Sequence, residues 1–167
     1  IGLGGWIEEQ LAPEAIDDGP ADWRLRQFET LRMSPDDLAS LSNRLFDDLD
    51  TTTVPNELRQ ATLVRQVYSR WQLYELMVEF WTDHFNVFQL SGAPRHLKTI
   101  DDREVIRRYA LGRFKDLLRA SGKSPAMLRF LNNDMNRVGA PNENYSREVM
   151  ELHTLGVDGG YSQQDVM

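Results

Sequence analysis

Apolar residues recur every three or four positions through the middle of the chain: Val64, Val67, Trp71, Tyr74, Val78, Trp81, Phe85 and Phe88. That spacing lays one stripe along the side of a helix. It predicts the longest element of the chain, from about Asn56 to Phe88, packed along its length against other helices. Glu75, Glu79 and Asp83 repeat at the same period on the far side, which reads as a solvated acidic face.

Outside this element the pattern shortens and is divided by breakers. Gly4-Gly5 precedes a short amphipathic helix, Trp6 to Leu11, that stops near Pro13. Asp17-Asp18-Gly19-Pro20 is a turn, after which Trp23, Leu25, Phe28 and Leu31 return at roughly helical spacing. Ser34-Pro35-Asp36-Asp37 predicts a helix start, because Ser caps, Pro suits the first turn and acids favour the positive end of the dipole. Leu38, Leu41, Leu45, Phe46 and Leu49 form the apolar side of that helix, and a loop over 50–55 follows. Ser91-Gly92-Ala93-Pro94 is a second break. A helix from Asp101 to about Leu118 and a short one from Ala126 to Leu131 come next. The helix around Tyr145–Leu155 ends at Gly156, and Ser162–Asp165 has the spacing of a capping box. No strand pattern or repeat interrupts this succession. It predicts an all-α fold, a multi-helix bundle organised around one long aromatic-rich helix, as a single helical domain over 1–167.

Composition narrows the function classes. Of 167 residues, 41% are apolar and 27% charged, as in ordinary globular proteins. The net charge of -7 argues against non-specific nucleic-acid binding, which rests on clustered Lys and Arg. Arg103, Arg107, Arg108 and Arg113 make the one basic run, read as a solvated helix face. The absence of Cys removes disulfides, thiol catalysis and Cys-based zinc sites. No apolar run approaches the ~18 residues of a membrane span, and the start lacks the basic-then-apolar pattern of a signal peptide. The chain starts without Met and stops inside a new helical pattern, so it reads as part of a longer protein.

The chemistry concentrates in Asn142–Gly156. On a helical wheel, Tyr145, Glu148, Leu152 and Leu155 share one face, with Asn144 and Glu151 on its flank and His153 elsewhere. Glu148 is then a carboxylate within an apolar stripe, and an unpaired buried carboxylate costs several kcal/mol. His84 stands at the edge of the apolar face of the long helix, a natural partner. Two readings follow from a Glu148–His84 approach with Asn144, Arg147 and Glu151 nearby. One is a buried hydrogen-bonded pair that sets helix register. The other is a site, in which the carboxylate tunes a His general base or the two supply half of a metal shell. No His-Glu-x-x-His or facing Glu-x-x-His pattern is present, so the residues name no metal.

Three other motifs fail on their own requirements. Gly122-Lys123-Ser124 resembles the end of a phosphate loop, but Leu117 stands where the first Gly is needed. The simpler expectation is that Gly122 ends one helix and Ser124-Pro125 caps the next. A calcium loop beginning at Asp134 would have Val138 and Tyr145 at ligand positions. Ser146 lacks a nucleophile elbow.

The run from Asn142 to Val166 resembles the signature of the bacterial domain-of-unknown-function 1800 (DUF1800) family. Phe80-Trp81-Thr82-Asp83-His84-Phe85 is similar to its Phe-Trp-x-x-His-Phe segment, and Gly5–Leu11 to its amino-terminal segment. The resemblance implies that this is the amino-terminal part of a larger, exported protein, periplasmic or secreted. It also implies a protein partner from a neighbouring sulfatase-like family. It marks His84, Asn144, Arg147, Glu148 and Glu151 as motif positions, while relatives carry Phe in place of His153. It carries no activity. The expectation is a helical module that assembles with a partner; the alternative is a metal-assisted or carboxylate–His hydrolase using His84 and Glu148.

Overall fold

The computed structural model describes residues 2–47, 52–88, 95–139 and 141–167. Leu49 and the loops at 50–51 and 91–94 lie outside the described residues, as do the side chains of Leu45 and Phe46. Among the described residues the protein is all-α, a multi-helix fold with no sheet. In chain order the helices are α1 (Leu3–Gln10), α2 (Gly19–Leu25), α3 (Pro35–Asp47), α4 (Thr53–Tyr68), α5 (Gln72–His84) and α6 (His96–Asp101). Then come α7 (Arg107–Tyr109), α8 (Phe114–Ser121), α9 (Pro125–Phe130), α10 (Asn144–Glu148) and α11 (Gln163–Val166). Two π-helical segments, Asp102–Ile106 and Val149–Thr154, join α6 to α7 and extend α10.

The predicted caps form. Ser34 Oγ accepts from the main-chain N–H of Asp37 at 3.1 Å and donates to the Asp37 carboxylate at 2.7 Å, starting α3. Ser162 and Asp165 form the reciprocal capping box of α11. Ser124 departs from expectation. It precedes Pro125, but its hydroxyl turns inward and donates to Asp101 at 2.6 Å instead of capping α9.

The single long helix from about 56 to 88 is corrected to two helices, α4 and α5, separated at Ser69–Trp71. The stripe crosses the break without interruption, because periodicity records which side is apolar and not whether the backbone continues. Side chains from the start of the chain hold the break open. Asp18 accepts from Ser69 Oγ at 2.8 Å and from the Arg70 N–H at 2.6 Å. Gln10 donates to the Arg70 carbonyl at 3.0 Å and accepts from the Leu73 N–H at 3.1 Å. Trp71 Nε1 donates to the Ile16 carbonyl at 2.9 Å. These bonds satisfy backbone groups that lose their helical partners at a chain break.

α5 is the axis of the core. Val78 on it and Phe85 just beyond its end are buried, with Tyr74, Met77 and Trp81 alongside, against Ile106, Ala110, Leu117 and Met127. Trp81 Nε1 donates to the Ala110 carbonyl at 2.9 Å, and Tyr74 Oη to the Arg107 carbonyl at 2.7 Å. The aromatic rings are thus packed on one side and anchored by a polar tip on the other. The predicted helix from Asp101 to Leu118 is interrupted by a turn after α7, where the Gly112 N–H donates to the Tyr109 carbonyl at 2.8 Å. No helix among the described residues is long and apolar enough to cross a membrane.

Candidate functional site

α5 ends at His84, and the π-helical turn of the closing helix packs against it. His84 Nε2 lies 3.0 Å from the main-chain carbonyl of His153. A carbonyl can only accept, so Nε2 carries the proton of this bond. Phe80, Trp81, Phe85, Phe114 and His153 surround the imidazole, with ring centroids 4.7–6.2 Å away. Phe85 also contacts the His153 ring at 5.1 Å, so the two histidines share one aromatic box.

The arrangement of the closing segment differs from the wheel. His153, expected off the apolar face, is buried at 6% exposure, while Leu152 and Leu155 are 61% and 56% exposed. The cause is the change of helix type. In a π-helix the hydrogen bond runs to the fifth residue back and not the fourth, so each turn takes more residues. The Leu155 N–H donates to the Met150 carbonyl, and Thr154 Oγ1 to the Val149 carbonyl, both spanning five residues. A wheel drawn at 3.6 residues per turn loses register at Val149, and every later side chain is displaced around the axis. Burial lowers the His153 pKa, and the neighbouring His84 lowers it further.

The predicted site residues divide into two groups. Glu148 is half-buried, and no hydrogen bond or ion pair joins it to His84 among the described residues. Arg147 is instead the centre of a clamp. It donates to Glu143 at 2.8 Å and to Gln163 at 3.0 Å, and pairs with Glu151 at 3.5 Å. Gln163 closes the ring by donating to Glu143 at 2.5 Å. Hydrogen bonds from Arg147 and Gln163 hold the Glu143 carboxyl below its ordinary pKa. The Asn144 side chain donates to the Leu131 carbonyl at 3.3 Å, tying α10 to the end of α9. Arg147, Glu151 and Asn144 therefore position the closing helix against α9 and α11. Gly159 completes this geometry: an added Cβ would stand 2.5 Å from Leu155 Cβ and 2.9 Å from the Gly156 carbonyl oxygen.

A second polar cluster escaped the sequence reading. Glu75, taken for part of a solvated face, is buried and receives both Nη groups of Arg107 at 3.0 and 2.8 Å. Arg107 Nε donates to Asp102 at 3.0 Å. These two residues are five apart, and the first π-helical segment is what brings them together. Burial opposes the Arg107 charge, but Asp102 and Glu75 outweigh it and raise its pKa. Arg65 lies in the same field, and burial together with the Arg107 charge lowers its pKa. Lys98 and Asp101 add a buried pair at 3.3 Å. The basic run is divided: Arg107 is taken by these acids and Arg103 donates to the carbonyls of Leu31 and Met33 at 2.9 Å, while Arg108 and Arg113 are exposed as expected. The signal in sequence was the five-residue spacing of Asp102 and Arg107, which ordinary helical periodicity places on different faces.

A family model described as "Protein of unknown function (DUF1800)" matches residues 1–167, the whole chain. No curated protein and no solved structure matches it.

Proposed function

The chain belongs to the DUF1800 family, and on that premise we propose that it is a helical module of an exported bacterial protein that works in assembly with a protein partner. The observation that carries this reading is the inverted closing helix. Its π-helical turn buries a histidine and turns Leu152 and Leu155 outward, with Val157 exposed just beyond. Contiguous exposed apolar side chains on a rigid element are what protein interfaces use as anchors. The Arg147 clamp holds the element in place, and Gly156 and Gly160, both at positive φ, shape the turn that follows it. The partner this reading favours is the sulfatase-like protein that the family resemblance implies.

The test is co-expression of the full-length protein with its sulfatase-like neighbour, followed by size-exclusion chromatography and affinity measurement. A stable complex is expected, with Leu152→Ser and Leu155→Ser each weakening it about tenfold or more and Trp23→Ser, exposed elsewhere in the chain, leaving it unchanged. No complex, or one indifferent to both leucines, would sink the reading.

A further inference from the structure

A cavity of about 450 Å³ lies between α4 and α5, within the ~300–1,000 Å³ range of small-molecule sites. It faces the side of α5 about half a turn round from His84, so it is separate from the aromatic box. Its exposed apolar surface comes from Leu63 and Phe88, over a floor of the buried Leu58, Val78 and Val87. Its deep polar surface is the Glu75–Arg107–Asp102 cluster with Lys98. Glu79 and Asp83, one turn apart on α5, stand at its exposed edge, and Arg59 stands across from them on α4.

We propose that this cavity binds a small amphipathic cation, an amine or guanidinium on an apolar stem. The argument is one of unmatched charge. Arg107 directs three N–H groups to Glu75 and Asp102, so the deep carboxylates are neutralised where they sit. Lys98 is paired with Asp101. The carboxylates of the α5 wall are different. Asp83 has no hydrogen bond or ion pair with any described residue, and Glu79 receives one neutral amide bond, from Gln66 at 3.2 Å. Arg59 is the one exposed cation on the lining, and its guanidinium donates to Asn56 at 3.3 Å. In the depth of the site Arg107 and the neighbouring Arg65 balance Glu75 and Asp102, and Asp101 balances Lys98, so the excess of one negative charge lies at the rim, where Glu79 and Asp83 face Arg59. An ammonium or guanidinium head placed there would make charge-assisted hydrogen bonds to both carboxylates. Its stem would cover Leu63 and Phe88, and an anion would meet the same carboxylates as repulsion.

Three six-carbon probes of matched shape, hexylamine, hexanol and hexanoate, test this by calorimetric titration of the full-length protein. Hexylamine is expected to bind saturably, hexanol about tenfold more weakly, and hexanoate more weakly still, because the charged hydrogen bonds are lost and then reversed. Glu79→Gln and Asp83→Asn leave the fold intact, since both side chains are exposed. Each should lower hexylamine affinity severalfold, and the pair about tenfold, while hexanol binding stays as it was. Equal binding of hexanol, tighter binding of hexanoate, no binding of hexylamine, or an unchanged double variant would each overturn the proposal.

Discussion

His84 donates from Nε2 to the main-chain oxygen of His153 across 3.0 Å, so the ring at the end of α5 holds the backbone of the closing helix and not a side chain. The accepting carbonyl lies within the π-helical segment, where the ordinary four-residue hydrogen bonds are displaced. Replacing His84 by Phe keeps the aromatic packing but removes the donor. A buried carbonyl without its partner costs about 1–3 kcal/mol. Urea denaturation should show a loss of that size for His84→Phe and a smaller one for His84→Gln, whose amide can still donate. Equal losses for the two would remove the hydrogen bond as the cause.

Two buried histidines give the protein a pH dependence. Burial depresses the folded-state pKa of His153 and of His96 below the ordinary 6.5. In the unfolded chain both rings protonate first. Stability is therefore fully present above about pH 6.5 and is lost as pH falls from there through the depressed folded values. Unfolding midpoints between pH 8 and pH 5 should decline on the acid side. His153→Phe, the residue that the family resemblance places there, should flatten part of that decline. A midpoint rising toward pH 5 would reverse the sign and refute the account.

Arg107 is 12% exposed and serves two carboxylates, Glu75 and Asp102, that are 8% and 10% exposed. Arg107→Met leaves both anions without their cation in a poorly solvated place, which costs about 3–5 kcal/mol. Adding Glu75→Gln to Arg107→Met should recover part of the loss, because one stranded charge is removed. A double-mutant cycle by chemical denaturation measures the coupling. An Arg107→Met variant within ~1 kcal/mol of the parent would show that water replaces the cluster.

Gly159 has no room for a side chain, as the Gly156 carbonyl and Leu155 Cβ close on it. Gly159→Ala forces a backbone shift of the kind that costs about 1–3 kcal/mol. The displaced turn also carries Leu155 and Val157, so partner affinity should fall with stability in this variant. Leu155→Ser, already exposed, should lower affinity alone. Thermal unfolding run beside the binding assay separates the two effects.

The helical class and the caps were legible because they are local. Ser34 with Asp37, and Ser162 with Asp165, satisfy backbone groups within one turn, whereas the cap expected at Ser124 was lost to Asp101, a residue 23 positions away. The candidate site was legible only as far as residue identity. His84 was picked out by standing among aromatics on α5, and those rings do enclose it. Its partner was not, because the wheel assumed one helix type from Asn144 to Leu155, and Glu148 was favoured over His153 on that register. The same assumption hid Asp102–Arg107.

By itself, then, the sequence determined an all-α chain, where most of its helices begin, and which side of α5 is apolar, since spacing and capping act within a few residues. The tertiary structure decided the rest. Asp18 and Gln10 lie more than fifty positions before the groups they hold at Ser69–Leu73, and with the Trp71 bond to the Ile16 carbonyl they separate α4 from α5. Burial chose Glu75 over Glu79 and Asp83 for the core, although all three share one period. Packing of the closing segment against α5 goes with the π-helical turn that puts His153 inside and Leu152 outside. Each of these depends on contacts between residues remote in the chain, and a local pattern carries no record of them.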